Sequence, residues 1–237
     1  MKPKILLING SPRKYGAVYK LLKIAEKGVI DAGGEPRIIH LYDYNIKPCI
    51  GCVSDEHLVC RFPCIIKDDD FNKIGDMVLE SDGIIFGTPI YWYSVSGVLK
   101  NFIDRLTSME NMIFHTGRSL LEGKVAGFIA TGNDSGSIHV LAYMMVTMNS
   151  MGVHIPAWAI AYHHTADDVL EDEQAIRDSY NIGYNVTKAA ETLKNVGPWY
   201  RANIDLNKLA EIARESAEKE KASQYPIREK FYRESLG

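Results

Sequence analysis

Lys4-Ile5-Leu6-Leu7-Ile8-Asn9-Gly10-Ser11-Pro12-Arg13-Lys14-Tyr15-Gly16 is an apolar run of strand length that stops at a glycine-containing, basic loop. Residues 5–8 are apolar without alternation, so both faces of that strand must be buried, as in a parallel sheet. Residues 19–32 then place Leu22, Ala25 and Val29 on one helical face, and Gly33-Gly34 ends the pattern. Strand, loop and helix recur downstream. Further strands are predicted at 37–42, 83–87 and 125–130 and within 153–162. Helices are predicted over 71–79, along Val95, Leu99, Phe102 and Leu106, and over 138–151 and 173–193. The run Asp68-Asp69-Asp70 suits the N-terminus of the 71–79 helix. Such alternation implies an α/β fold, a doubly wound five-stranded parallel sheet with helices on both faces.

That unit is expected to occupy residues 1–196, with an insertion at 48–67. Gly197-Pro198 breaks the chain, and 197–237 forms a C-terminal helical extension. Its first helix, 205–221, carries Leu206, Leu209, Ile212 and Ala213 on one side, and Pro226 is expected to interrupt it before a last charged helix. The extension is too small for its own core. It packs on the parent domain, reaches a partner subunit, or stays a surface appendage.

The 237 residues are 46% hydrophobic and 24% charged, with 27 basic against 30 acidic side chains. No basic stripe stands out, which argues against nucleic acid. No apolar run is long enough for a signal peptide or a membrane span, so a cytoplasmic protein is expected. All four cysteines, Cys49, Cys52, Cys60 and Cys64, fall within sixteen residues. Such a group reads as a [4Fe–4S] cluster, a structural zinc site, a thiol–disulfide site or inert thiols.

Three loops leave strands at the carboxyl edge of the sheet, where ligands of such folds bind. In the first, Gly10 and Gly16 allow close backbone approach, Ser11 donates, and Arg13 and Lys14 bring charge to a helix N-terminus: a phosphate cradle, or a basic turn. The second, Pro89-Ile90-Tyr91-Trp92-Tyr93-Ser94, exposes three aromatics that would pack on a planar ring or fold back on the core. Ser96 is placed to cap the next helix. The third, Thr131-Gly132-Asn133-Asp134-Ser135-Gly136, is small and polar. Met144, Met145, Met148 and Met151 line one helix and read as core or subunit interface. His163 and His164 read as a solvated loop pair.

These loops, with Leu99-Lys100-Asn101-Phe102-Ile103-Asp104-Arg105, resemble the NAD(P)H-dependent FMN reductase family over about residues 4–195. The iron–sulfur flavoprotein branch is the nearer likeness, through Pro48-Cys49-Ile50-Gly51-Cys52 and Cys64-Ile65-Ile66-Lys67-Asp68-Asp69. The resemblance implies a flavodoxin-like fold and an enzyme that passes electrons from NAD(P)H through FMN to a quinone, a flavin, a metal ion or an iron–sulfur cluster. It implies the FMN phosphate on Ser11, Arg13 and the Gly16-Ala17-Val18 turn, the ring against Pro89, Ile90, Tyr91, Trp92, Tyr93 and Ser94, and Thr131, Gly132, Asn133, Ser135 and Gly136 closing over it. Ala17-Val18 stand where family members often carry Asn-Thr, so backbone amides, Tyr15 or Tyr19 are expected to compensate. A [4Fe–4S] cluster on Cys49, Cys52, Cys60 and Cys64 is implied too, although the interval from Cys52 to Cys60 is longer than in that branch. A homodimer or homotetramer is expected, working on small-molecule donors and acceptors. The readings from other classes are a non-enzymatic electron carrier and a flavin-free scaffold.

Overall fold

β1 (Lys4–Asn9) buries five of its six residues. The computed structural model describes residues 2–236; Met1 and Gly237, the outer limits of the two expected segments, lie outside them. β2 (Glu35–His40), β3 (Gly83–Pro89), β4 (Val125–Thr131) and β5 (Ile160–His163) complete one sheet in the order β2-β1-β3-β4-β5. Every pairing is parallel. This is the flavodoxin-like doubly wound order, with its switch point between β1 and β3.

The apolar run of β1 divides by parity. Ile5 and Leu7 join Ile85 and Ile129 under α1 (Ala17–Asp31) and α8 (Glu173–Leu193). Leu6 and Ile8 join Ile84, Phe86 and Phe128 on the other face. That face is covered by α3 (Phe71–Glu80), α4 (Gly97–Arg105) and α7 (Ser137–Ser150). Full burial of each such side chain contributes about 1.5–3 kcal/mol, which is why neither face of β1 tolerates a polar alternation. α1 and α8 cross closely at Gly28 and Gly183, where a Cβ on either would overlap the facing backbone. Three short helices, α2 (Cys52–Asp55), α5 (Thr107–Glu110) and α6 (Met112–Thr116), lie in the connections.

Several expectations shift. β2 starts at Glu35 and ends at His40, because Leu41–Asp43 tightens into a 3₁₀ turn. The fifth strand is confined to Ile160–His163. Upstream of it Pro156 has no N–H to donate, and Trp158 adopts a left-handed φ of 53°. Met144 and Met148 are buried in the core, with Met145 and Met151 packed against it. Ser96 does not cap α4: its hydroxyl donates to the Gly10 carbonyl at 2.6 Å, 86 residues away, and so ties the first loop to the second.

The chain divides into a unit ending at Tyr200 and a second from Arg201. Residues 197–200 belong to the first: the Trp199 amide donates to Glu122 at 2.8 Å, and its ring meets His154 edge-on. In the second, α9 (Leu206–Leu236) runs through Pro226 rather than breaking there. A proline removes one main-chain bond, and i,i+4 pairs such as Glu229–Arg233 and Glu234–Lys230 continue beyond it. Among the described residues no helix is long and apolar enough to cross a membrane.

Candidate functional site

Gly10 sits where a side chain would not fit. Its amide donates to the Gly87 carbonyl at 2.8 Å, and a Cβ would come within 3.1 Å of that oxygen and 3.2 Å of Leu99 Cβ. Buried Asn9 orders the turn, its Oδ1 accepting from the Ser11 amide at 2.9 Å. Ser11 Oγ in turn accepts from the Arg13 amide at 3.2 Å, which leaves the hydroxyl hydrogen available. α1 starts at Gly16 without a side-chain cap, and its first main-chain bond is from Lys20 to Gly16. The amides of Ala17, Val18 and Tyr19 are therefore open donors at the positive end of a helix dipole. Ser11, Arg13, Gly16, Ala17 and Val18 all line one cavity of about 670 Å³, a size typical of cofactor sites.

The opposite wall comes from the strand-end loops. Pro89, Ile90 and Tyr91 line the cavity, as do Thr131, Gly132 and Asn133. The Ile90 amide donates to Thr131 O at 2.7 Å and the Gly132 amide to His163 O at 2.9 Å, so the loops after β3, β4 and β5 are stitched in sequence. Tyr91 and Ser94 exchange main-chain bonds of 3.0 and 3.1 Å around Trp92 and Tyr93. Both central residues have positive φ, 49° and 62°. Bulky side chains rarely adopt that conformation, and such strain is characteristic of functional loops. Trp92 is 94% exposed. It lines neither this cavity nor the adjoining cleft of about 560 Å³, which takes in Tyr93, Ser135 and Gly136 beside His139 and His164. Ser94 and Tyr15 also line neither.

Of the groups expected to compensate at Val18, the amides of 17–19 are open donors, while neither Tyr15 nor Tyr19 lines the cavity. Tyr15 is exposed, and Tyr19 packs on His40. Lys20, one helical turn beyond Gly16, lines the cavity instead and pairs with Asp168 at 2.7 Å. That bond holds the Asp168 carboxyl below its ordinary range. Nor is His163 a solvated residue: it is buried, with Nδ1 2.9 Å from Asp172 Oδ2 and Nε2 3.2 Å from Asp167 O. The hydrogen bond from His163 holds Asp172 low, and Asp172 also caps α8. The sequence reading missed Lys20 and the 165–169 loop. The signal was there, since that loop also leaves a strand at the carboxyl edge.

The cysteine segment leaves β2 at the same edge but folds back along α3 and α4. Cys49, Cys52, Cys60 and Cys64 are free thiols lining one small space of about 10 Å³ together with Arg105 and Ser108, Cys60 and Cys64 buried and the other two half-buried. It shares no lining residue with the larger cavity. Burial first, and then the neighbouring thiols, push Cys60 up to about 12. The segment is pinned by distant side chains. Asn72 accepts from the Cys64 amide at 2.8 Å and donates to its carbonyl at 3.0 Å. Asn111 donates to His57 O and Cys60 O at 2.6 and 2.7 Å, which anchors the long Cys52–Cys60 interval. The acidic run sits at the start of α3 as expected, and its three carboxylates take separate partners. Asp69 accepts from the Phe71 and Lys47 amides and pairs with Arg105 at 2.7 Å, both side chains fully buried. Asp70 accepts from the Asn45 amide, and exposed Asp68 pairs with Lys47. Four converging thiols fit a thiolate-bound centre by donor chemistry. As placed, no group of three or more His, Cys, Asp or Glu among the described residues is arranged around a single metal ion, and the space would have to widen for a cube.

Similar proteins agree with this picture. The chain is 31% identical over 208 residues to an iron–sulfur flavoprotein of Archaeoglobus fulgidus, covering 81% of the chain and 98% of that protein. It is 36% identical over 204 residues to an iron–sulfur flavoprotein of Methanocaldococcus jannaschii, covering 81% and 99%. A Bacillus subtilis protein named as an NAD(P)H-dependent FMN-containing oxidoreductase is 32% identical over 178 residues, covering 73% and 92%. Among solved structures, RosB with a bound riboflavin-5'-phosphate derivative superposes with a TM-score of 0.70 at 21% identity, over 90% of the chain and 87% of RosB. An archaeal flavodoxin superposes at 0.51 and 13% identity, over 81% and 99%; both likenesses concern the fold. With residues 3–167, from β1 through β5, matching NADPH-dependent FMN reductase, the chain belongs to that family and is an FMN-dependent oxidoreductase.

Proposed function

We propose that the protein binds FMN across its three strand-end loops and uses it to pass electrons from NAD(P)H to a small-molecule acceptor, such as a quinone, a free flavin or a metal ion, or to an iron–sulfur cluster. The observation that carries this reading is the uncapped N-terminus of α1 opening, with Ser11 and Arg13, into a cavity of about 670 Å³. The amides of 17–19, the Ser11 hydroxyl and Arg13 would hold the phosphate, with Lys20 adding charge in place of the hydroxyl missing at Val18. Pro89, Ile90 and Tyr91 would bear on one side of the ring, and Thr131, Gly132 and Asn133 on its polar edge. The Trp92–Tyr93 turn would shield the ring and leave a face for nicotinamide. Bound FMN supplies the hydride- and electron-accepting chemistry, while the protein binds, orients and excludes water.

The cysteine segment is read as a [4Fe–4S] site on Cys49, Cys52, Cys60 and Cys64, supported by the convergence of the four thiols and by the relatives' names. The working form is proposed as a cytoplasmic homodimer or homotetramer, which light scattering tests. Titration of the purified chain with FMN should show binding at micromolar concentrations, and none would overturn the proposal. Direct oxidation of NAD(P)H by the FMN-loaded protein separates the enzyme from the runner-up, a flavodoxin-like carrier that needs a separate reductase.

A further inference from the structure

The two ends of the cysteine segment are held by one buried side chain that the proposed electron transfer does not use. Arg105, on the last turn of α4, donates from Nη1 to Lys47 O at 3.1 Å and to Asp69 Oδ2 at 2.7 Å. Nη2 faces Ile66 O at 3.3 Å and Asp69 Oδ1 at 3.4 Å. Lys47 precedes the first cysteine and Ile66 follows the last, so the guanidinium spans the neck of the loop. Its Cζ lies 4.5 Å from the Phe71 ring centre. Four of its five N–H groups are thereby placed. The fifth, on Nε, is buried and has no partner among the described residues. Arg105 lines the cysteine cavity, and Cys64 lies beside the guanidinium.

An orphaned buried N–H is rare in a folded protein and calls for an acceptor. Here the sulfur beside the guanidinium is that of Cys64. A protonated thiol is a weak acceptor, whereas a metal-bound thiolate or an inorganic sulfide is a strong one. Lysine could not substitute, because its donors radiate from a single point and cannot fork across two carbonyls and a carboxylate.

We infer that Arg105 is the positioning residue of the cysteine site: it clasps both ends of the segment and keeps its Nε–H for a sulfur of the bound centre. This rests on the reading of the four cysteines as a thiolate-bound centre, and it assigns Arg105 two roles. The clasp shapes the pocket before metal arrives. The remaining N–H then stabilises negative charge on sulfur, which tunes the potential of the centre.

The test compares the full chain with Arg105→Lys, which keeps a cation beside Asp69 but loses the fork and the Nε–H. Far-UV circular dichroism and FMN titration establish that both are folded. In reduced, metal-free protein, alkylation with iodoacetamide read by peptide mass spectrometry should show Cys64 reacting faster in the variant. Zinc affinity, measured against a chromophoric chelator, should fall about ten- to a hundredfold. After reconstitution with iron and sulfide, the variant's centre should have the lower midpoint potential; a residue that was only structural would reduce occupancy and leave the potential unchanged. If the lysine variant does not fold, Arg105→Gln with Asp69→Asn removes both buried charges together and serves in its place. Unchanged alkylation, affinity and potential would overturn the inference. A wild-type chain that takes up neither zinc nor iron would instead refute the thiolate-centre reading, and the alkylation comparison then decides the clasp on its own.

Discussion

The strand-end cavity and the cysteine pocket lie on one domain and are built in opposite ways. The cavity is open, about 670 Å³, and walled by loops that follow β1, β3, β4 and β5. Its shape is a consequence of topology: parallel strands end at one edge, and main-chain bonds such as Ile90 to Thr131 and Gly132 to His163 stitch their loops in register. The pocket is small, about 10 Å³, and its segment carries little regular structure. Side chains from α3, α4 and the start of α6 hold its main chain: Asn72, Arg105 and Asn111 bond to carbonyls 6 to 58 residues away. A site made by topology should survive the loss of most single side chains, except those that touch the ligand. A site made by clasps should fail when one clasp is cut.

The largest effect is expected at the buried pair. Asp69→Asn leaves Arg105 as an uncompensated buried cation and should cost about 3–5 kcal/mol in urea unfolding at pH 7. Asp69→Leu with Arg105→Met should recover much of that stability, although not the cysteine site. Burial pushes the Asp69 carboxyl up, but Arg105 and the amides of Lys47 and Phe71 outweigh it and hold it below the ordinary carboxylate range. The wild-type advantage is therefore complete above about pH 4 and is lost as pH falls through the depressed value. Unfolding at descending pH should bring wild type and Asp69→Asn together. A gap that stayed constant to pH 2 would mean that the pair does not titrate as placed.

Next comes the ligand side of the comparison. Arg13→Ala removes a charge-assisted bond worth about 1.5–3 kcal/mol and should weaken FMN about ten- to a hundredfold. Riboflavin, which lacks the phosphate, should bind as before, and equal losses for both would mean the loop is misassigned. Lys20→Ala should weaken FMN less, since Asp168 already engages that ammonium.

Asn111→Ala tests whether the long interval between Cys52 and Cys60 is clasped. It strands the His57 carbonyl, leaves Cys60 O to His115 Nε2 at 3.1 Å alone, and should cost about 1–3 kcal/mol. Hydrogen exchange should rise across residues 53–60, while the FMN titration stays unchanged. A change confined to α6 would assign Asn111 to that helix instead. The smallest effect is expected at the exposed tip of the second loop. Trp92→Gly relieves a left-handed conformation and should raise thermal stability by about 1 kcal/mol or less. If FMN affinity also fell, Trp92 would be acting on the ligand in spite of its exposure.

How much could be read in advance follows the same division. The strands announced themselves because a parallel strand buried on both faces needs an unbroken apolar run, and Ile5 to Ile8 supplies one. The carboxyl-edge loops followed from strand order, which turned Gly10, Ser11, Arg13, Pro89 and Thr131 into candidates without any contact being known. Lys20 was hidden because it sits inside a regular helix, where charge is ordinarily solvated. Ser96 looked like a cap because cap residues and long-range tethers are the same residue types. His163 looked solvated because burial is a property of what packs on a residue, not of its neighbours in sequence.

By itself the sequence determined the class of sheet, the edge at which the candidate loops gather, and the fact that four thiols are grouped. Those properties depend on local patterns: apolar periodicity, glycine at a close approach, spacing along one segment. Only the tertiary structure decided that Asp69, besides accepting from the Phe71 amide, is a buried partner of Arg105, that Asn72 and Asn111 hold the cysteine loop, and that one N–H of Arg105, the arginine beside Cys64, is left over. Each depends on groups tens of residues apart meeting in the interior. There, with water excluded, an unpaired charge or carbonyl is costly, and the choice of partner is set by packing that no local pattern encodes.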